Sequence, residues 1–271
     1  MTSGKIGLAT ERNLAGLGIV VTRAQHQAEP LCRKIEDAEG RAIRLPMLEI
    51  REVEHSAQLG TIIDHLSNFH IAVFISSNAV RHALRHMRSR GVSFGHLRLV
   101  AIGRKTAQAL EEAGYQVDIC PQHGFASEDL LKFDELQSLH GRQIVIFRGE
   151  GGRELLAETL IARGAQVECA EVYQRIAPSI DQRALEQIFN DGSFDLITIS
   201  SAEGLKNLLD IVGPEWALRL RQIPLLVGGQ RMLQIAGDMG FNTIINARDP
   251  SDEAIFEGIL QWSRQRREAH G

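Results

Sequence analysis

The stretch "AVFISSNAV", residues 72–80, is an apolar run halted by two serines and an asparagine, and 124 residues later the chain writes "LITISSAEG", residues 196–204. Each reads as a buried β-strand passing into a helix, because hydroxyl and amide side chains after an apolar run cap helix starts. One corner would say little. Its recurrence asks whether the whole chain is duplicated.

It is. "IVVTRAQHQAEPLCRKIEDAEGRAI" (19–43) runs beside "IVIFRGEGGRELLAETLIARGAQV" (144–167), and "LVAIGRKTAQALEEAGYQV" (99–117) beside "LLVGGQRMLQIAGDMGFNT" (225–243). Arg23 falls on Arg148, Gly40 on Gly164, Ser76–Ser77 on Ser200–Ser201, Gly103 on Gly228 and Ser127 on Ser251, always at an offset of 124 or 125 residues. Short Val/Ile/Leu runs predict strands at 17–22, 41–45, 71–75, 98–102, 116–119, 143–147, 166–171, 194–199, 223–227 and 243–246. Between them, segments such as "EPLCRKIEDAEG" (29–40) and "GRELLAETLIARG" (152–164) carry apolar residues at helical spacing and end at the glycine expected just past a helix. Continuous apolar strands alternating with helices indicate an α/β fold with parallel sheets covered on both faces.

The bulk numbers narrow the function classes. With 271 residues, 44% hydrophobic and 24% charged, the chain has the composition of a globular protein of about two domains. A formal net charge of −4, with no basic run outside "RQRRE" (264–268), argues against a nucleic-acid-coating protein. That basic tail suits a solvated helix end. Cys32, Cys120 and Cys169 lack metal or disulfide spacing and fit reduced thiols. No run approaches the ~20 apolar residues of a membrane span, and the N-terminus lacks a signal-peptide core, so a cytoplasmic protein is expected.

In open parallel sheets, ligands sit beyond the carboxyl ends of the strands. There Ser76–Ser77–Asn78 and Ser200–Ser201 would present helix N-terminal amides, suited to anions. Gly103 and Gly228 end the neighbouring strands, where a missing Cβ permits close backbone approach. Arg23 and the arginines of "RGEGGR" (148–153) add guanidinium groups for carboxylates. Each signal has an ordinary counterpart: the serines as N-caps, the glycines as turns. "RGEGG" is not a phosphate loop, since no G-K-[ST] follows, and no G-x-G-x-x-G opens the first unit. His82 and His86 lie four apart on a predicted helix without a motif acid, and read as a solvated face. Tyr115 falls opposite Phe241 in the repeat, a packing position. Tyr173 has no aromatic counterpart near Glu49. Just after a predicted strand, it reads either as a phenol in the mouth of a site, able to donate to a departing oxygen, or as a packing ring between domains.

With those residues in place, the chain resembles the uroporphyrinogen-III synthase family. The markers are "VVTR", "FISSNAV", "VAIGRKTAQALEEAG", "SEDLL", "VIFRGEGGRELLAETLIARGAQVECAEVYQR", "ITISSAEGL" and "DEAIFEGIL", from about Gly18 to about Leu260. The resemblance implies two similar flavodoxin-like α/β lobes with parallel sheets joined by a two-segment crossover. Lobe one would be residues 1–47 and 175–271, lobe two residues 48–174, with the active site between them. It implies closure of the linear tetrapyrrole hydroxymethylbilane into uroporphyrinogen III, with inversion of the last ring and loss of water, a lyase step of porphyrin and heme biosynthesis. No metal or organic cofactor is implied. By the same resemblance Tyr173 is the candidate catalytic group, assisting hydroxyl departure. Arg23, Ser76, Ser77, Asn78, Gly103, Thr106, Arg148, Ser200, Ser201 and Gly228 are candidates for holding the substrate's carboxylates. The second copy departs from the pattern: it reads "VGGQRM", with Met232 and not a hydroxyl, so that either Arg231 supplies the contact there or that wall binds less tightly. Expected partners are this substrate and, transiently, the preceding pathway enzyme, with no nucleic acid and no membrane. The default is a monomer. Two rival readings are a non-catalytic binding module for a small anion, indifferent to Tyr173, and a phosphosugar or nucleotide transferase, which would need a base or metal carboxylate set that the sequence lacks.

Overall fold

A computed structural model describes residues 13–53, 56–122, 127–152, 154–190 and 194–270. In chain order its elements are β1 (Gly18–Val21), α1 (Gln25–Asp37), β2 (Arg41–Arg44), β3 (Glu49–Glu52), α2 (Ala57–Asp64), β4 (Ile71–Phe74), α3 (Ser77–Arg90), β5 (Arg98–Ala101) and α4 (Arg104–Glu112). The chain continues through α5 (Ser127–Leu130), β6 (Gln143–Gly149), α6 (Leu155–Ala162), β7 (Gln166–Ile176), α7 (Gln182–Asn190) and β8 (Leu196–Ile199). It ends with α8 (Ala202–Leu220), β9 (Leu225–Gly228), α9 (Gln230–Asp238), β10 (Ile244–Ala247) and α10 (Asp252–His270). Two compact units result: Met1–Glu49 with Ile176–Gly271, and Ile50–Arg175.

In the first unit the sheet order is β10-β9-β8-β1-β2, with all four strand pairs parallel. Counted along that unit from the β2 edge this is 2-1-3-4-5, the flavodoxin order, in which the strand order reverses between β1 and β8. The second sheet runs β3-β7-β6-β4-β5, and Ile119 bridges in parallel to Val100 of β5. Without β3, this is the same order read from a different starting point in the chain: β7, β6, β4, β5 and Ile119 take the places of β2, β1, β8, β9 and β10. The reversal point of the second unit therefore lies between β6 and β4.

Burial on both faces explains the unbroken apolar strands. Ile71, Val73, Ile144 and Ile146 enter one core layer of the second unit, while Ala72, Phe74, Val145 and Phe147 enter the opposite one. The first unit alternates likewise, with Ile19 and Val21 on one face and Val20 on the other. At the equivalent depth the units differ in chemistry. Buried Thr22 donates to the Thr198 carbonyl at 2.7 Å, and Thr198 donates to the Val20 carbonyl at 3.0 Å. Their repeat positions in the second unit hold Phe147 and Phe74, stacked with centroids 4.8 Å apart and planes at 11°.

Several expectations are corrected. Residues 116–119 make one bridge and no strand. Asp118 Oδ2 accepts the Leu99 N–H at 2.6 Å, so a side chain occupies a donor that a ladder would use. The edge strand β3 was absent from the expected strands, since "EIRE" is charged at three of its four positions, a composition common on sheet edges. Strand β7 runs to Ile176, which places Tyr173 inside a strand and not after one. Past α1, the left-handed residue is Glu39 (φ 59°) and not Gly40. The basic tail does lie on exposed turns of α10, where Arg266 pairs with Asp195 at 2.6 Å and Arg267 donates to the Asn13 carbonyl.

Candidate functional site

In the second unit the carboxyl ends of β4, β5, β6 and β7 carry Ser76, Gly103, Arg148 and Tyr173. Ser76 is the N-cap of α3: its backbone is extended and its Oγ accepts the Ala79 N–H at 3.0 Å. The helix closes on Gly91 in the left-handed conformation, with Arg88 and Arg90 in the last turn where cations suit its dipole. The same Ser76 Oγ lies 3.1 Å from the Tyr173 hydroxyl. Arg175, two residues along β7 and so on the same side of the strand, donates an Nη2–H to that hydroxyl at 3.4 Å. Gly149 supports the ring. A Cβ there would stand 2.6 Å from Tyr173 Cε2 and Cζ.

Tyr173 is 0% exposed, so of the two readings the sequence left open, a phenol standing in an open mouth or a packing ring, its ring is packed into the core. It is embedded, and its hydroxyl is reached by Ser76 and Arg175. Arg148 is also buried, and its guanidinium is turned onto its own loop: Nη2 donates to the Gly152 carbonyl at 2.6 Å and to Glu154 at 2.8 Å. Hydrogen bonding to Arg148 holds the Glu154 carboxyl below the ordinary range. Gly103 caps α4 with extended backbone and no side-chain acceptor, and Thr106, one turn in, is buried. Ser77 is half-buried and Asn78 buried. Arg153 lies outside the described residues.

In the first unit Ser201 is the N-cap of α8, its Oγ accepting the Gly204 N–H at 3.1 Å, and Ser200 is half-buried beside it. Arg23 and Gly228 meet through one loop. Arg23 pairs with Asp252 and donates to the Pro250 carbonyl, while a Cβ on Gly228 would stand 2.6 Å from Pro250 Cα. Gly229 starts α9 at φ 93°, again with no side-chain cap. Each unit therefore sets a serine-capped corner beside a glycine-capped one. A glycine cap leaves first-turn N–H groups without a side-chain acceptor, the condition under which a helix start holds an anion. Arg231 is exposed and Met232 buried.

The histidine expectation is overturned. His82 is 6% exposed, its ring 5.8 Å from Tyr173 and its Nδ1 without a hydrogen-bond partner. His86 Nε2 is 3.2 Å from Glu52 Oε1 but out of hydrogen-bond alignment. Their helix face packs inward, and desolvation pushes both imidazole pKa values down. An unfolded histidine takes up its proton near pH 6.5, the folded ones only at lower pH. Stability is thus retained above that range and lost as pH falls through it, until the folded rings also titrate. The urea midpoint should drop between about pH 7 and about pH 5.5, and His82→Leu should flatten the drop. An identical slope in that variant contradicts the assignment.

Sequence reasoning missed Gly149, Arg175 and His82 as neighbours of Tyr173. The i, i+2 spacing of Tyr173 and Arg175 was the available signal, had 166–176 been read as one strand. Among the described residues no group of His, Cys, Asp and Glu is arranged to hold a metal ion.

Two units with parallel-dominated sheets in flavodoxin order, each with capped corners at its reversal point, define a two-unit flavodoxin-like α/β protein. Residues 29–257 match the family model described as uroporphyrinogen-III synthase HemD. The chain is 30% identical over 246 residues to the uroporphyrinogen-III synthase of Escherichia coli (strain K12), covering 90% of this chain and 100% of that one. It is 30% identical over 249 residues to that of Salmonella typhimurium, with the same shares covered. Of solved structures, a mutant uroporphyrinogen III synthase from Thermus thermophilus aligns with TM-score 0.62 at 17% identity, over 93% of this chain and 100% of that one. The Helicobacter pylori enzyme aligns at 0.60 and 14%, over 91% and 99%; these two likenesses bear on the fold. The chain belongs to the uroporphyrinogen-III synthase family.

Proposed function

We propose that the chain is a uroporphyrinogen-III synthase, closing hydroxymethylbilane to uroporphyrinogen III with inversion of the last ring and loss of water, a cyclising lyase. The observation that carries this is the match at 30% identity across the full length of the Escherichia coli synthase. The corner chemistry agrees with it: the substrate carries two carboxylate arms on every pyrrole, and both units offer helix starts suited to anions.

The reaction asks for placement more than for strong acid–base groups. The pyrrole nitrogen pushes hydroxide from the terminal carbinol, leaving an azafulvene cation. The substituted carbon of the last ring then attacks, and the resulting spiro intermediate fragments and recloses. The protein must bring that carbon, and not the free position beside it, to the electrophile. Ser76, Ser77, Asn78, Gly103 and Thr106 in one unit, and Ser200, Ser201 and Gly228 in the other, are proposed to hold carboxylates largely through backbone amides. Arg23 and Arg148 fix the loops beside them. Tyr173 serves the hydroxyl-loss step through the groups that reach its buried oxygen.

Hydroxymethylbilane generated in situ closes spontaneously to the type I product. Adding this protein should make type III predominate after oxidation and separation, and an unchanged ratio with folded protein refutes the reading. Tyr173→Phe should lower turnover about tenfold or more without abolishing it. Unchanged turnover removes Tyr173 from the step. The same reading places the protein in the cytoplasm as a monomer; among the described residues no helix is long and apolar enough to cross a membrane.

A further inference from the structure

We infer that Arg175 is the side chain through which the Tyr173 cluster touches substrate, its guanidinium taking a substrate carboxylate, and that Tyr173 and Ser76 are positioning residues for it. The inference rests on the synthase reading and deepens it. Three observations carry it. The Tyr173 hydroxyl is fully enclosed, whereas Arg175 is exposed. The guanidinium is tethered at both its edge and its face: Nη2 donates to the hydroxyl at 3.4 Å, and the guanidinium carbon lies 5.9 Å from the ring centroid. Ser76 Oγ holds the other side of the hydroxyl, and that oxygen is itself fixed by capping α3.

The contrast with the two arginines singled out by the repeat is chemical. Arg23 is paired with Asp252, and Arg148 with Glu154, so both cations are already neutralised by their own chain. Among the described residues no carboxylate pairs with Arg175; its bond is to the phenol hydroxyl. A planar guanidinium has five N–H donors, and one hydrogen bond to the hydroxyl, beside a ring contact that uses no donor, leaves a fork free for a carboxylate. A buried aromatic tether also removes much of the rotamer freedom that a long side chain otherwise loses on binding. Tyr173 thus contributes by holding Arg175 in a competent orientation, which accounts for a residue that assists the reaction while having no exposed atom.

The test uses the full chain and in-situ hydroxymethylbilane, comparing wild type, Arg175→Gln, Arg175→Lys, Tyr173→Phe and the Arg175→Gln/Tyr173→Phe double variant. Wild type is scored first for type III product, so that failure of the synthase reading shows there. With wild type active, Arg175→Gln should raise KM about tenfold or more and lower the fraction of type III, since one arm is no longer held. Lysine should recover KM in part, as a point charge without the fork. Tyr173→Phe should add little in the Arg175→Gln background. An Arg175→Gln variant with wild-type KM and product ratio overturns the inference. So do fully multiplicative losses in the double variant, which would mean that Tyr173 acts independently of Arg175. Unchanged melting temperatures across the set exclude a merely structural origin. Should the variants melt lower, the KM-to-kcat split and the product ratio of the folded fraction decide.

Discussion

Phe147→Ala is expected to lower the unfolding free energy by about 3–5 kcal/mol, the range for removing a large aromatic side chain from a packed core. Phe147 is 0% exposed and stacked on Phe74, and Phe94 sets its edge against Phe74 at 5.5 Å and against Tyr115 at 4.8 Å. Alanine would open a gap in the middle of this run of rings, within the core layer that also holds Ala72 and Val145. The effect should be confined. Trp216 and Trp262 both lie in the first unit, so tryptophan fluorescence reports that unit alone. Far-UV circular dichroism should show an earlier urea transition in Phe147→Ala, with the fluorescence transition shifted much less. The repeat supplies the control. Thr22→Val, at the matching position, removes one hydroxyl bond to the Thr198 carbonyl and should cost about 1 kcal/mol, read by fluorescence. Equal losses from the two substitutions would contradict the difference in core chemistry.

The repeat made most of this architecture legible. Nine of the ten described strands lie where apolar runs placed them, and the central ones, β1, β4, β6 and β8, are mostly apolar because both of their faces are buried. Strand β3 escaped because an edge strand has no such requirement and its residues are mostly charged. Residues 116–119 misled in the opposite sense, with apolar Val117 and Ile119 but an Asp118 carboxylate that replaces a ladder bond. The corners were legible as pairs of serines, since capping is a local property of sequence. The surroundings of Tyr173 were not. The phenol meets Ser76 across 97 positions of chain and Gly149 across a neighbouring strand, and only the order β7-β6-β4 brings them together. Sequence spacing likewise made Arg23 and Arg148 look like ligand groups. Their commitment to Asp252 and Glu154 depends on loops whose path no local pattern specifies.

Gly149→Ala should damage stability and activity together, and for one geometric reason. The added Cβ would sit 2.6 Å from two ring carbons of Tyr173 and 3.0 Å from its hydroxyl oxygen. That ring cannot swing clear, being fully buried, with His82 at 5.8 Å and Ser76 on its hydroxyl. Either the ring rotates and gives up its bonds to Ser76 and Arg175, or β6 and β7 move apart at a register already shifted at Arg148/Gly149. The cost should be about 1–3 kcal/mol, as for inserting a methyl group into a packed core. Turnover should fall at least as far as in Tyr173→Phe, because the whole ring is displaced and not only its hydroxyl lost. Gly237→Ala tests whether the space or the substitution matters: it is helical, its nearest neighbour would be Ile244 Cδ1 at 3.9 Å, and alanine there should stabilise by about 0.5–1 kcal/mol. Adding Tyr173→Leu to Gly149→Ala should recover much of the stability by making room, while leaving turnover low. Those two readouts must part, because the glycine is required only by the ring, and the ring only by what it holds in place. Wild-type activity in Gly149→Ala would mean that the close approach of Tyr173 has no part in the reaction.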